Sequence, residues 1–111
     1  MELSLGAPQP ADKKRGVLRA LGVKIPVDTV LMVPVEDGLV GQMMIAIRVL
    51  DKKGVPSKAQ IDQGPVTVPK GLSHVYFEIP LMIPRGTQRI AVAIRDELSG
   101  VEASELIVLD D

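Results

Sequence analysis

The stretch Gly86-Thr-Gln-Arg-Ile-Ala-Val-Ala-Ile-Arg-Asp-Glu-Leu-Ser-Gly100 decides the fold. Ile90, Val92 and Ile94 fall on one side of an extended chain and Arg89, Ala91, Ala93 and Arg95 on the other, the period of two expected for a strand with one buried face. Asp96-Glu-Leu-Ser-Gly100 then closes a hairpin, with Gly100 suited to a positive φ. This strand is the middle one of three predicted over residues 72–82, 87–96 and 101–109. In the first of them Val75, Phe77, Ile79 and Leu81 point one way, and His74, Tyr76, Glu78 and Pro80 the other. Pro84-Arg-Gly86 turns the chain between the two.

Upstream, residues 40–51 carry the same alternation, with Met43, Ile45, Ile47 and Val49 opposed to Gln42, Met44, Ala46 and Arg48. Asp51-Lys-Lys-Gly54 follows as a charged turn, and a hairpin partner is expected within residues 57–61. Val17, Arg19, Leu21 and Val23 predict a first strand that tolerates a kink or bulge at Gly22 and whose beginning lies at a sheet edge. Residues 29–35, broken by Pro34, suggest an edge strand, and Glu36-Asp-Gly38 a turn. Gly64-Pro-Val-Thr-Val-Pro-Lys-Gly71 is expected to be a connection with at most one short strand, because Pro65 and Pro69 each remove a donor. Residues 1–15 mix two prolines with small and charged residues and read as a linker or N-terminal arm, leaving residues 16–111 as the domain. No stretch repeats apolar residues at helical spacing. The fold class expected is all-β: an antiparallel two-sheet β-sandwich of about seven strands with Greek-key connections, immunoglobulin-like or fibronectin type III-like, with a small barrel as the alternative.

Composition narrows the functional classes. The chain has 111 residues, a single-domain length at which about 65% of the unfolded surface is buried. Tyr76 and Phe77 are its aromatic residues, so the core must be aliphatic, which suits strands and offers few platforms for stacking sugars or bases. Thirteen Lys and Arg against 14 Asp and Glu give no electrostatic footprint for a nucleic-acid backbone or an anionic membrane. Cysteine is absent, which excludes disulfides, thiolate metal sites and a cysteine nucleophile while leaving the redox compartment open. No run reaches the roughly 20 apolar residues of a membrane span, and residues 1–10 lack the basic start and apolar middle of a signal peptide. Asparagine is absent too, so there is no N-glycosylation acceptor.

The residues able to do chemistry are few. His74 is the single histidine and falls on the outward side of its strand beside Tyr76 and Glu78, without the partners that catalysis or metal binding needs. Ser57, Ser73, Ser99 and Ser104 lie in or near turns and strand ends, none within a Gly-x-Ser-x-Gly elbow. Asp96, Glu97 and Glu102 flank one hairpin, and Asp110 and Asp111 end the chain. Such carboxylates can hold Ca²⁺, but the preset loop with six to eight oxygens is not recognisable here, and turn chemistry explains their positions. Met32, Met43, Met44 and Met82 fit either core filling or an adaptable binding surface. The triplet Lys13-Lys14-Arg15 is shorter than the basic patches that bind partners. Phosphate-binding glycine loops are absent. No catalytic, cofactor-binding or metal-binding residue is assigned, and no cofactor is expected.

Three segments resemble the C-terminal β-sandwich region of bacterial, acidobacterial-type proteins related to the von Willebrand factor type A domain. They are Lys24-Ile-Pro-Val-Asp-Thr-Val-Leu-Met-Val-Pro34, Met43-Met-Ile-Ala-Ile-Arg-Val-Leu-Asp-Lys-Lys-Gly54, and residues 76–100 with their Arg89-x-x-Val-Ala-x-Arg-Asp-x-x-Ser-Gly100 ending. The resemblance covers most of the chain from Gly16 onward. The metal-adhesion pattern Asp-x-Ser-x-Ser of the type A domain does not occur, so no metal-dependent site carries over. The resemblance implies an accessory domain of a longer exported protein, periplasmic or extracellular, whose residues are structural.

The expectation is therefore a non-enzymatic module with a structural or protein-interaction role, partnered by another protein or by a neighbouring domain of its own polypeptide. Self-association through an edge strand is a further route, whereas nucleic acid and membrane insertion are not expected. The alternative is a ligand-binding module for Ca²⁺ or a glycan on the same fold.

Overall fold

A computed structural model describes residues 1–9 and 16–109. It is an all-β, two-sheet antiparallel sandwich with eight strands: β1 (Glu2–Leu5), β2 (Val17–Pro26), β3 (Val33–Val35), β4 (Gly38–Leu50), β5 (Gln60–Pro69), β6 (His74–Ile83), β7 (Arg89–Asp96) and β8 (Glu102–Val108). One sheet has the order β1-β2-β6, and in the other β3, β4, β7 and β8 follow in order with β5 on the free side of β4. The chain changes sheet three times, after β2, β5 and β6. A 3-10 turn, Val27–Thr29, carries the first crossing.

The alternation read from the sequence is the alternation seen. Ile90, Val92 and Ile94 of β7 are buried, as are Met43, Ile45 and Ile47 of β4 and Val75, Ile79, Leu81 and Ile83 of β6. Leu21, Val23 and Ile25 of β2 complete the aliphatic core between the sheets. Removing side chains of this kind from water is worth about 1.5–3 kcal/mol each. Gly100 adopts φ +80° at the end of the β7–β8 turn.

Four expectations are corrected. Within the segment taken as an arm, Glu2–Leu5 forms a strand paired with β2, and Met1, Leu3 and Leu5 pack on the core, so short alternation was missed beneath the prolines that follow. The β2 register against β6 runs unbroken from Val17↔Ile83 to Pro26↔His74, with no bulge. Gly22 serves close approach instead: a Cβ there would meet Ser4 Oγ at 2.5 Å and the Tyr76 hydroxyl at 3.0 Å. Nor is β2 an edge at its beginning, since Gly6 N–H bonds Ala20 C=O and Gln9 N–H bonds Leu18 C=O on the side away from β6. Finally, the hairpin partner of β4 is not confined to residues 57–61, and the proline-bounded connection is strand: β5 covers ten residues, including Pro65 and Pro69.

Hydrogen-bond parity explains why those prolines are tolerated. Glu97 N–H donates to Gln42 C=O at 2.8 Å, in register with Met43↔Asp96, so even-numbered β4 residues bond toward β7 and odd-numbered ones toward β5. Pro65 and Pro69 stand opposite Gln42 and Gly38. Their missing N–H groups would have faced away from the sheet, which is where an edge strand accepts proline.

Candidate functional site

The polar groups picked out by sequence separate into two places: the corner where β7 turns into β8, and the rim of a groove between β5 and β6. At the corner, Asp96 is only 4% exposed. Its Oδ2 accepts the Leu31 N–H at 2.6 Å, and its Oδ1 accepts the Leu98 and Ser99 N–H groups at 3.0 and 3.4 Å. Burial alone would raise its pKa, but those donors and the Ser99 hydroxyl outweigh it and hold the carboxyl below its ordinary value. Asp96 is thus an ionised lock joining the β7–β8 turn to the segment before β3, with both oxygens occupied by backbone. The turn chemistry expected of Asp96 is met by its contact with Leu98, two residues on. The bond to Leu31, 65 positions away, had no local signal.

Glu97 lies outside this lock. It accepts a hydrogen bond from Gln63 Nε2 at 2.9 Å and pairs with Arg95 at 3.7 Å, while Arg95 also reaches Glu102 at 3.6 Å. These ties run across the outer face of the larger sheet and, being exposed, contribute little individually. Asp110 and Asp111, like Lys13-Lys14-Arg15, lie outside the described residues. Among the described residues no group of three or more His, Cys, Asp or Glu is placed to hold a metal ion.

The serines are structural contacts. Ser57 Oγ accepts the Val49 N–H at 3.1 Å and donates to Lys58 C=O at 3.1 Å, Ser99 Oγ accepts the Val101 N–H at 3.2 Å, and Ser104 is exposed on β8. Ser73 Oγ and His74 Nδ1 are 2.8 Å apart on the surface, and no acid among the described residues completes a relay. Met43 is buried in the core, whereas Met32 and Met44 are half-buried and Met82 is exposed, so the four divide between the two roles considered.

The second place is a groove of about 580 Å³ between the edges of β5 and β6. Met43 and Ile45 of β4 and Ile94 of β7 form its floor. Asp62 and Val66 stand on one wall, and Phe77, Glu78 and Ile79 on the other. Tyr76, 58% exposed, lies across Gly22 and donates its hydroxyl to Glu78 Oε1 at 2.7 Å. That bond, with the nearby negative charge, holds the phenol pKa above its ordinary value. The arrangement offers apolar floor, acidic rim and strand edges, a combination suited to an extended chain rather than to bond chemistry. No local sequence signal marks the groove, because its two walls come from different sheets.

No family model, curated protein or solved structure matches this chain. No helix is long and apolar enough to cross a membrane among the described residues.

Proposed function

We propose that this chain is a non-catalytic β-sandwich module standing in line within a larger, exported polypeptide, where it spaces and presents protein-binding surfaces. The observation that carries the reading is the elongation of the sandwich along its strands. Met1 sits beside Ile25, Asp96 and Val101 at one pole. Leu109 sits with Gly16, Ile83 and Thr87 at the other. The long dimension is 48 Å against 26 and 20 Å. β4, with 13 residues, accounts for about 40 Å of strand at roughly 3.3 Å per residue. A module elongated in this way adds up to that length to whatever it joins end to end.

The strand order supports placing it with fibronectin type III-like sandwiches, since β5 stays in the sheet of β4 and leaves the other sheet with three strands. The resemblance to the accessory region of von Willebrand A-related proteins supports the same context, its segments falling on β2 through β4 and on β6 and β7. Small-angle scattering of the native polypeptide, with and without this module, is the test. The maximum dimension falls by about the module's long axis if the module is in line; an unchanged dimension overturns the reading. Protease access on intact cells tests export separately, and protection of the module in intact cells counts against it.

A further inference from the structure

We infer that the free edge of β6 is a docking site for an extended, basic segment of a partner protein, which adds to β1-β2-β6 as a fourth strand. This names the partner surface of the interaction module proposed above and rests on that reading. An in-line module with an empty groove would keep its scattering dimension, so the two can fail separately.

Val27 N–H donates to Ser73 C=O at 2.9 Å, one step beyond the Pro26↔His74 pair, so odd-numbered β6 residues bond β2. The N–H groups of Tyr76, Glu78 and Met82 therefore point away from the sheet, and β6 pairs with no strand but β2 among the described residues. Pro80 alone interrupts that row.

Next, the edges differ in their defences. The two outer strands of the larger sheet each carry an acid on their core-facing side: Asp62 on β5, opposite Ile45, and Glu105 on β8, opposite Val92. Inward-pointing charge is a standard guard against edge-to-edge pairing, and β5 adds Pro65 and Pro69 along its free side. β6 has no inward-pointing charge, and a single proline, Pro80, stands on its free side. Its core-facing residues are Val75, Phe77, Ile79, Leu81 and Ile83, and Phe77 is half-buried where the groove opens.

Charge then selects the occupant. Asp62 on one wall and Glu78 on the other are the charged residues lining the groove, and both are acidic. A fourth strand would lie about 4.8 Å from β6 and beneath β5. It would pack its inward apolar side chains on Phe77, Ile79 and Val66 and set its outward cationic ones beside Glu78, with Asp62 adding negative charge across the groove. A second copy of the chain is disfavoured, because β6 paired antiparallel with itself about Glu78 sets two carboxylates face to face.

The probe is a seven-residue peptide alternating lysine and valine, titrated into the intact chain and followed by backbone amide resonances. Saturable shifts centred on Tyr76, Glu78 and Met82 are expected, with the glutamate–valine counterpart binding at least tenfold more weakly. Glu78→Pro removes one edge N–H at a position where proline fits and is expected to weaken binding about tenfold. Asp62→Lys leaves the edge intact and is expected to slow association and flatten the salt dependence. Absence of saturable binding, equal binding of the acidic peptide, or shifts centred on β5 or β8 each overturn the proposal. So does a concentration-dependent dimer abolished by Glu78→Pro, which would make the occupant a second copy.

Discussion

β6, with ten residues, and β8, with seven, are edge strands that treat their core-facing sides in opposite ways. β8 sets Glu105 toward the interior side and exposes most of its residues, whereas β6 sets five apolar residues there and buries four of them. The difference shows that an edge strand's character is fixed less by propensity than by what its inward row can tolerate. A sheet margin that overhangs its partner sheet can carry a charge; one above the core cannot.

Exchanging the two characters should break the comparison most severely. Ile79→Asp places an unpaired carboxylate at a site 7% exposed and should cost more than about 4 kcal/mol, which abolishes the cooperative transition in urea. A folded variant with near-native stability would refute the core assignment of β6. Asp96→Ala comes next, since it strips the acceptors from three backbone donors beside the β8 turn; a loss of about 3 kcal/mol in chemical denaturation is expected.

The same group sets a pH dependence. Because the folded pKa of Asp96 is lowered, its contribution is fully present above the unfolded value of about 3.9 and is lost as pH falls toward and through the folded value. Asp96→Asn should flatten that part of the stability–pH curve, and an unaltered acid limb would assign the effect elsewhere. Removing guards is milder. Asp62→Val with Glu105→Val should leave the melting transition within about 1 kcal/mol of wild type while producing concentration-dependent association in sedimentation velocity. A strictly monomeric double variant would deny those acids a protective role. The smallest effect belongs to Tyr76: Glu78→Gln should bring its phenol titration back toward the ordinary value, read by ultraviolet absorbance. No movement would mean that the Tyr76–Glu78 bond is not what holds it.

What could be read in advance follows the same divide. The faces of β4, β6 and β7 were legible because period two is a local property, and two sheets must meet along the apolar rows it creates. β5 was not, because whether Pro65 is fatal depends on which of its neighbours is absent, a fact about the sheet rather than the segment. β1 was obscured by its brevity. At the corner, Asp96-Glu-Leu-Ser-Gly100 marks a turn, but the partner Leu31 leaves no local trace, so the sequence accounts for the carboxylate by turn chemistry alone. The groove was invisible for the strongest reason: its walls are 60s and 70s residues that part at the β5–β6 turn into different sheets.

The Asp96–Leu31 bond also bears on time. It closes a loop of 65 positions whose ends the pairing of β4 with β7 brings together, so it is expected to form late in folding. Bonds made that late govern the escape rate from the native state and leave the refolding rate nearly unchanged. Acid should therefore steepen unfolding without slowing folding, and a stopped-flow comparison of Asp96→Asn with wild type would contradict this if the refolding limb moved instead. The lifetime of the folded module in acid would then depend on this one carboxylate.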